Sequence, residues 1–262
     1  MPEPIVLKIG GNEIDDEGFL DGLAEAIGEL RAQAAPIVVH GGGKEIARLQ
    51  AALGLEARFV DGLRVTDDAS LQIAEMVLSG AVNKRLVARL VAHGIPAAGL
   101  SGVDGGLLRV RALAHPAGDL GWVGEVTAVD PSLLRLLLGQ GIVPVVSPIS
   151  LGPGGHSYNV NADHAAMALA RALGARTLAF VTNVPGVLVD GAVVPRLAAA
   201  EAESWIAGGT ISGGMVPKVR AALDVVAGGV GEARIVDLAG LRAGGGTQVV
   251  GGVHGGQSIA GC

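Results

Sequence analysis

The chain is 262 residues long, carries a formal charge of -6, and is half hydrophobic with only 2% aromatic residues. An acidic balance with few rings argues against a nucleic-acid binder, which needs a basic track and stacking surfaces. Charges such as Arg135 and Arg171 interrupt the apolar stretches before any reaches the roughly 18 residues of a membrane span, and the single cysteine, Cys262, has no partner for an internal disulfide. Met1-Pro2-Glu3-Pro4 lacks a basic leader, so a cytoplasmic protein acting on a small molecule is expected.

Along the chain, apolar runs of strand length alternate with stretches of helical periodicity. The run at 4–9 ends in Lys8-Ile9-Gly10-Gly11 and leads to a helix over 15–34; the run at 36–39 ends in His40-Gly41-Gly42-Gly43 and leads to a helix over 43–53. Gly62-Leu63-Arg64-Val65-Thr66 precedes a long helical stretch at 67–92, in which Asn83-Lys84-Arg85 and Arg89 form a basic face. A strand at 95–100 follows. The glycine- and valine-rich stretch 101–130, with Trp122, reads as β-hairpins laid over one end of the sheet as a substrate lid.

After a helix at 131–140 and a strand at 142–147, Asn159-Val160-Asn161-Ala162-Asp163 opens a helix at 161–173. The strand at 177–181 runs into Thr182-Asn183-Val184-Pro185-Gly186, and residues 184–195 read as a hairpin turning at Asp190-Gly191. Helices at 197–207 and 214–228, the second opened by Gly213-Gly214-Met215-Val216-Pro217-Lys218, and a strand at 232–236 complete the pattern. The stretch 251–262 reads as a flexible tail. Strands that are continuously apolar, such as Ile142-Val143-Pro144-Val145-Val146, predict an α/β fold with a mainly parallel central sheet covered on both faces. No composition break divides the 262 residues; any two lobes meet near residue 170.

Two glycine turns at strand ends bring backbone N–H donors and helix N-termini together, which favours a phosphate group. The phosphate loop that ends in Gly-Lys-Ser/Thr is absent, because Gly43-Lys44 is followed by Glu45, and so is the dinucleotide fingerprint Gly-x-Gly-x-x-Gly. His40, at a strand end before three glycines, reads as a scaffold residue. His156 and His164 bracket the Asn-Val-Asn-Ala-Asp motif without an acidic or cysteine cluster at ligand spacing, so no protein-bound metal is expected.

Taken in order from Lys8 to about Val250, the four signatures resemble those of the amino acid kinase family. The resemblance implies a three-layer α/β/α sandwich in which residues 1–170 hold an acylated amino acid and the dimer interface, and residues 171–250 hold the nucleotide. It also implies ATP with Mg2+ carried in by the nucleotide, and phosphorylation of a side-chain carboxylate to an acyl phosphate. A carboxylate is already ionised at neutral pH and needs no general base; the obstacle is its approach to a triphosphate, which calls for cations and N–H donors.

By resemblance, Lys8 and Lys218 flank the transferred phosphoryl group, Asp163 holds both ammonium groups, and Gly11, Gly42 and Gly43 donate N–H bonds. Arg64 forks onto the substrate's α-carboxylate, and Asn159, supported by Asn161, bonds the acyl-amino end. Lys8, Gly10, Gly11, Thr182, Asn183, Gly186, Gly214, Met215 and Lys218 face ATP, although many relatives carry Asp where Asn183 stands. The intact Lys8, Lys218 and Asp163 argue against a nucleotide sensor that has lost turnover. Gly62-Leu63-Arg64-Val65-Thr66 and Asn159-Val160-Asn161-Ala162-Asp163 point to N-acetyl-L-glutamate as acceptor, in arginine biosynthesis. The alternative is α-aminoadipate or glutamate blocked by acetyl or by a small acidic carrier protein, in lysine biosynthesis; Asn83 to Val87, Leu100 to Gly105 and Thr182 to Gly186 are similar to that branch, and Lys84, Arg85 and Arg89 would receive the carrier. A homodimer joined through 67–92 and insensitive to arginine is expected, because Lys8 follows the start too closely for the extra amino-terminal helix of arginine-inhibited members.

Overall fold

The computed structural model describes residues 2–11 and 13–251, so the expected tail lies, beyond Gly251, outside the described residues. The chain opens with β1 (Pro4–Ile9), α1 (Glu17–Leu30), β2 (Ala35–His40) and α2 (Gly43–Ala52), then a small hairpin of β3 (Phe59–Val60) and β4 (Leu63–Arg64). There follow α3 (Asp68–Glu75), α4 (Asn83–Ala92), β5 (Ala97–Gly102), β6 (Leu108–Ala112), β7 (Gly124–Val129), α5 (Ser132–Gly139), β8 (Val143–Leu151) and β9 (Ser157–Asn159). The rest comprises α6 (Ala162–Leu173), β10 (Thr177–Val181), β11 (Leu188–Val189), β12 (Ala192–Val193), β13 (Arg196–Ala198), α7 (Ala199–Ala207), α8 (Met215–Ala227), β14 (Glu232–Val236), α9 (Leu238–Ala243) and β15 (Thr247–Val250).

Eleven strands form one sheet in the order β13-β15-β14-β10-β1-β2-β8-β6-β7, with β5 and β9 also paired to β8. The central pairs β10–β1, β1–β2 and β2–β8 are all parallel. From β1 the chain moves through α1 to β2 on one side, and after β8 it returns through α6 to β10 on the other. The crevice beyond the carboxyl end of such a switching strand is where open α/β sheets bind ligands. Successive residues of β1 point to opposite faces. Leu7 and Ile9 pack in one buried cluster with Leu20, Leu23 and Ile27 of α1, and Val6 packs in a second with Ala165, Ala166 and Leu169 of α6. Two helical layers thus sandwich the sheet, and both grip the strand that carries Lys8.

Helix starts follow side-chain chemistry. Asp16 accepts from Phe19 N–H at 3.0 Å to begin α1, and Asn161 accepts from Asp163 N–H at 2.7 Å to begin α6, each satisfying a donor that the first turn leaves without a partner. The expected turn at Asp190-Gly191 is present, with φ of 51° and 78°, the pair of left-handed residues that a two-residue hairpin loop requires.

Three expectations need correction. The stretch 67–92 is one continuous coil, but Met76–Val82 between α3 and α4 winds as a π-helix, a local register change that a 3.6-residue apolar period does not reveal. Residues 101–130 do not form a lid: β6 and β7 are an antiparallel hairpin that extends the sheet edge beyond β8, and of this stretch Val123 alone lines the cleft described below. The helix expected at 197–207 begins at Ala199, because Arg196–Ala198 pairs with β15 as a strand.

Candidate active site

The two glycine turns touch. Gly41 N–H donates to the Ile9 carbonyl at 3.1 Å, and a Cβ on Gly11 would stand 3.1 Å from the backbone nitrogens of both Gly42 and Gly43. A Cβ on Gly42 would meet Leu78 Cδ2 at 2.7 Å. Glycine is therefore required by close approach of chain to chain. The amino end of α2, which starts at Gly43 with no side-chain cap, opens at this contact and presents free N–H groups to an anion.

Lys8 leaves the end of β1 and its Nζ lies 2.8 Å from Asp163 Oδ1 in the first turn of α6. That oxygen is buried, and the ammonium at this distance is a charge-assisted partner for it. A carboxylate at this helix position is favoured by the peptide dipoles. Lys8 and Gly43 form the common wall of two cavities. One, of about 240 Å³, is bordered by Gly41, Gly42, Arg64, Asn159, Asn161 and Asp163, with Leu63, Leu78 and Val160 supplying apolar surface. The other, of about 290 Å³, is bordered by Gly10, Gly11, Glu13, Lys44, Thr182 and Lys218. Lys8 and Lys218, far apart in sequence, thus line a single cavity with the first glycine turn.

Arg64 stands half-buried on β4 and is already oriented. It donates to the carbonyl of Gly43 at 3.1 Å and to Gln50 Oε1, and its guanidinium lies 4.7 Å from the centre of the Phe59 ring. Burial pulls its pKa below the ordinary value. Gln50 is fixed in turn by donating to Ser70 Oγ at 3.0 Å. Asn159 donates to Thr66 Oγ1 at 3.3 Å. Lysine in place of Arg64 keeps the charge but loses the planar fork. We expect Arg64→Lys to weaken binding of a carboxylate ligand in this cavity about tenfold or more, as calorimetric titration reads.

Of the residues singled out in the sequence, Lys8, Gly10, Gly11, Gly42, Gly43, Arg64, Asn159, Asn161, Asp163, Thr182 and Lys218 come together around these two cavities. Asn183, Gly186, Gly214 and Met215 line neither. Asn183 accepts from Thr182 Oγ1 at 3.3 Å. Gly186, at φ +153°, lies against Thr247, whose Oγ1 would be 2.7 Å from an added Cβ; Gly214 and Met215 form the start of α8. Two readings change. Asn161 caps α6, so its Oδ1 is committed to Asp163 N–H, and Asp163 pairs with Lys8 without an ion pair to Lys218 among the described residues.

The two arginines of the basic face of α4 are paired with carboxylates within the fold, while Lys84 keeps its charge. Arg85 pairs with Glu45 at 2.5 Å and Asp15 at 3.4 Å, Arg89 with Asp21 at 2.8 Å, and Lys84 donates to Asn83 Oδ1 and the Gly99 carbonyl. It offers few free cations to an acidic partner. Among the described residues no group of three or more His, Cys, Asp or Glu side chains is placed to hold a metal ion; His156 stacks on Trp122 at 5.0 Å. Glu13, Lys44 and Gln50 escaped the sequence reading, although Lys44 directly follows the triple glycine.

His40 is fully buried, and burial pushes its pKa down to about 4, against a hydrogen bond to Gly41 that raises it and with nearby Lys84 lowering it further. The unfolded chain takes up this proton near the ordinary histidine value, so between the two the unfolded state binds more protons and stability falls as pH drops. From pH 7 to pH 5 the residue removes about 2 kcal/mol of stability. Urea unfolding at the two pH values checks this, because His40→Asn loses less stability over the same interval by about that amount.

The model of the amino acid kinase family matches residues 3–237. The chain belongs to the amino acid kinase family. This amino acid kinase chain is 56% identical over 237 residues to the acetylglutamate kinase of Roseiflexus sp. strain RS-1, covering 90% of each chain. It is 54% identical over 242 residues to that of Chloroflexus aurantiacus strain J-10-fl, covering 92% of this chain and 94% of the relative. Among solved structures, a Streptococcus mutans UA159 protein superposes with a TM-score of 0.78 at 28% identity, over 95% of this chain and 99% of its own. The three-layer α/β/α sandwich is the fold of the family.

Proposed function

We propose that this protein transfers the terminal phosphoryl group of ATP to the side-chain carboxylate of N-acetyl-L-glutamate, forming N-acetylglutamyl 5-phosphate in arginine biosynthesis. The observation that carries this reading is the name acetylglutamate kinase on relatives that share about half of the sequence over nine-tenths of its length, joined to a cleft in which Lys8 and Lys218 meet two glycine turns. A carboxylate oxygen attacks the terminal phosphorus as the bond to ADP breaks, giving an acyl phosphate and ADP. No proton moves, so the work falls to charge and alignment.

Lys8 and Lys218 offset the charge of the oxygens in transit, and the N–H groups of Gly11, Gly42 and Gly43 receive them. Asp163 positions Lys8. Arg64 clasps the α-carboxylate, and Asn159 with Asn161 bounds the acyl-amino end in the smaller cavity. The triphosphate lies against Gly10, Gly11, Lys44 and Thr182, with the base and ribose toward Asn183, Gly186, Gly214 and Met215. Residues 1–170 hold the acid and also meet the triphosphate through Gly10, Gly11 and Lys44, while 171–250 bind the rest of the nucleotide. Mg2+ enters as part of the nucleotide substrate, an ion that keeps several waters and needs few protein ligands. The enzyme works in the cytoplasm as a homodimer joined through 67–92, where Met76 and Val91 leave more than half of their surface exposed.

Trapping the acyl phosphate with hydroxylamine tests the assignment. We expect kcat/KM for acetylglutamate to exceed that for acetylaminoadipate about tenfold or more, the scale on which one methylene is discriminated. Preference for the longer acid, or no hydroxamate from either, overturns it.

A further inference from the structure

Behind the second glycine turn lies a buried polar chain that the reaction as described does not use. His40 and Asn83 are both fully buried. Asn83, the first residue after the π-helical segment, has its amide nitrogen 2.9 Å from the Val145 carbonyl and 3.3 Å from the Leu100 carbonyl, which identifies that atom as the donor. The same nitrogen is 3.2 Å from His40 Nε2, and Nδ1 of that ring is 2.9 Å from the carbonyl of Gly41. A carbonyl only accepts, so Nδ1 carries the proton; the ring is neutral, so Nε2 is an acceptor and shares the two N–H groups of Asn83 with the Val145 and Leu100 carbonyls. The tautomer follows from the partners at both ends.

In a trans peptide the C=O and N–H point in opposite directions. Drawing the Gly41 carbonyl inward to His40 therefore turns the Gly42 N–H outward, away from the ring, at a nitrogen that a Cβ on Gly11 would meet at 3.1 Å. We propose that His40 and Asn83 are positioning residues that lock the Gly41–Gly42 peptide plane so that the Gly42 N–H faces the transferred phosphoryl group. The strand next door accommodates the device: a Cβ on Gly99 would stand 1.9 Å from Asn83 Oδ1, so only glycine leaves room for this amide.

The inference rests on phosphoryl transfer at this cleft, and its two tests separate it from that reading. The first is independent of any substrate. Nitrogen NMR of ring-labelled wild-type protein reports one histidine with a protonated Nδ1 and an unprotonated Nε2, unchanged from pH 8 to pH 5; a ring that is protonated at Nε2 or titrates in that range overturns the proposal. The second compares His40→Leu, His40→Asn and Asn83→Leu by hydroxamate formation. Asparagine at 40 retains an N–H near the position of Nδ1, whereas leucine does not. We expect kcat to fall about tenfold to a hundredfold in His40→Leu and Asn83→Leu, with KM for acetylglutamate within about threefold of wild type, and His40→Asn to recover most of the loss. Equal losses in His40→Asn and His40→Leu at matched melting temperatures, or a loss confined to KM, contradict it. Should the leucine variants not fold, the NMR result on the wild type and the activity of His40→Asn still decide.

Discussion

Lys218→Ala is expected to lower kcat for acyl phosphate formation by about a hundredfold to a thousandfold, the range found when one preorganised transition-state donor is removed. The side chain leaves α8 and borders the same cavity as Lys8 and Gly11. The residues of α8 that anchor it to the core are Val219, Ala222 and Val225, and alanine is the best helix former, so the melting temperature should stay within a few degrees of wild type. Nucleotide binding should weaken less than turnover, because charge on the phosphoryl oxygens shifts toward the lysine only during transfer. Initial rates with saturating ATP and acetylglutamate, beside a thermal melt, give both numbers. Full activity in a folded Lys218→Ala would remove this lysine from the mechanism.

A second large effect concerns Lys8 and Asp163. Lys8→Ala should lower kcat on the same scale as Lys218→Ala. Asp163→Ala leaves the ammonium present but unanchored, and should cost about tenfold to a hundredfold, as for other residues that orient a functional group. Combining the two should be little worse than Lys8→Ala alone, because a carboxylate whose task is to place an absent lysine has nothing left to do. Their separation of 2.8 Å and the partial burial of both groups make this coupling measurable. A cycle of the four proteins that came out additive would assign Asp163 a separate role, such as binding through water to the phosphates.

The half of the site built on the two glycine turns was legible because its residues sit where sequence pattern is strongest. Lys8, Gly11, Gly42 and Gly43 follow apolar runs whose strand character is plain, and glycine at a strand-to-helix junction has a narrow set of uses. The half around Arg64 was harder to read from pattern alone. Arg64 and Phe59 belong to a hairpin of two-residue strands, too short for any period. The π-helical segment hides inside a helical period, yet it places Leu78 against Gly42 and Asn83 behind His40. Pairing also escapes a linear reading: Arg85 and Arg89 look like a free basic face until folding brings Glu45, Asp15 and Asp21 to them. Asn161 read as support for Asn159; its Oδ1 also caps α6, a second use that only coordinates reveal.

The central claim is that Lys8 and Lys218 meet across one cleft to bind a phosphoryl group in passage between ATP and a carboxylate. Calorimetric titration with ADP, Mg2+, acetylglutamate and aluminium fluoride, which mimics the phosphoryl group in flight, addresses it in wild type, Lys8→Ala and Lys218→Ala. The account predicts that both variants bind ADP within about threefold of wild type but bind the full analogue assembly about a hundredfold more weakly. If either variant binds the assembly as tightly as wild type does, or loses ADP and the assembly equally, the two lysines do not act on the transferred group.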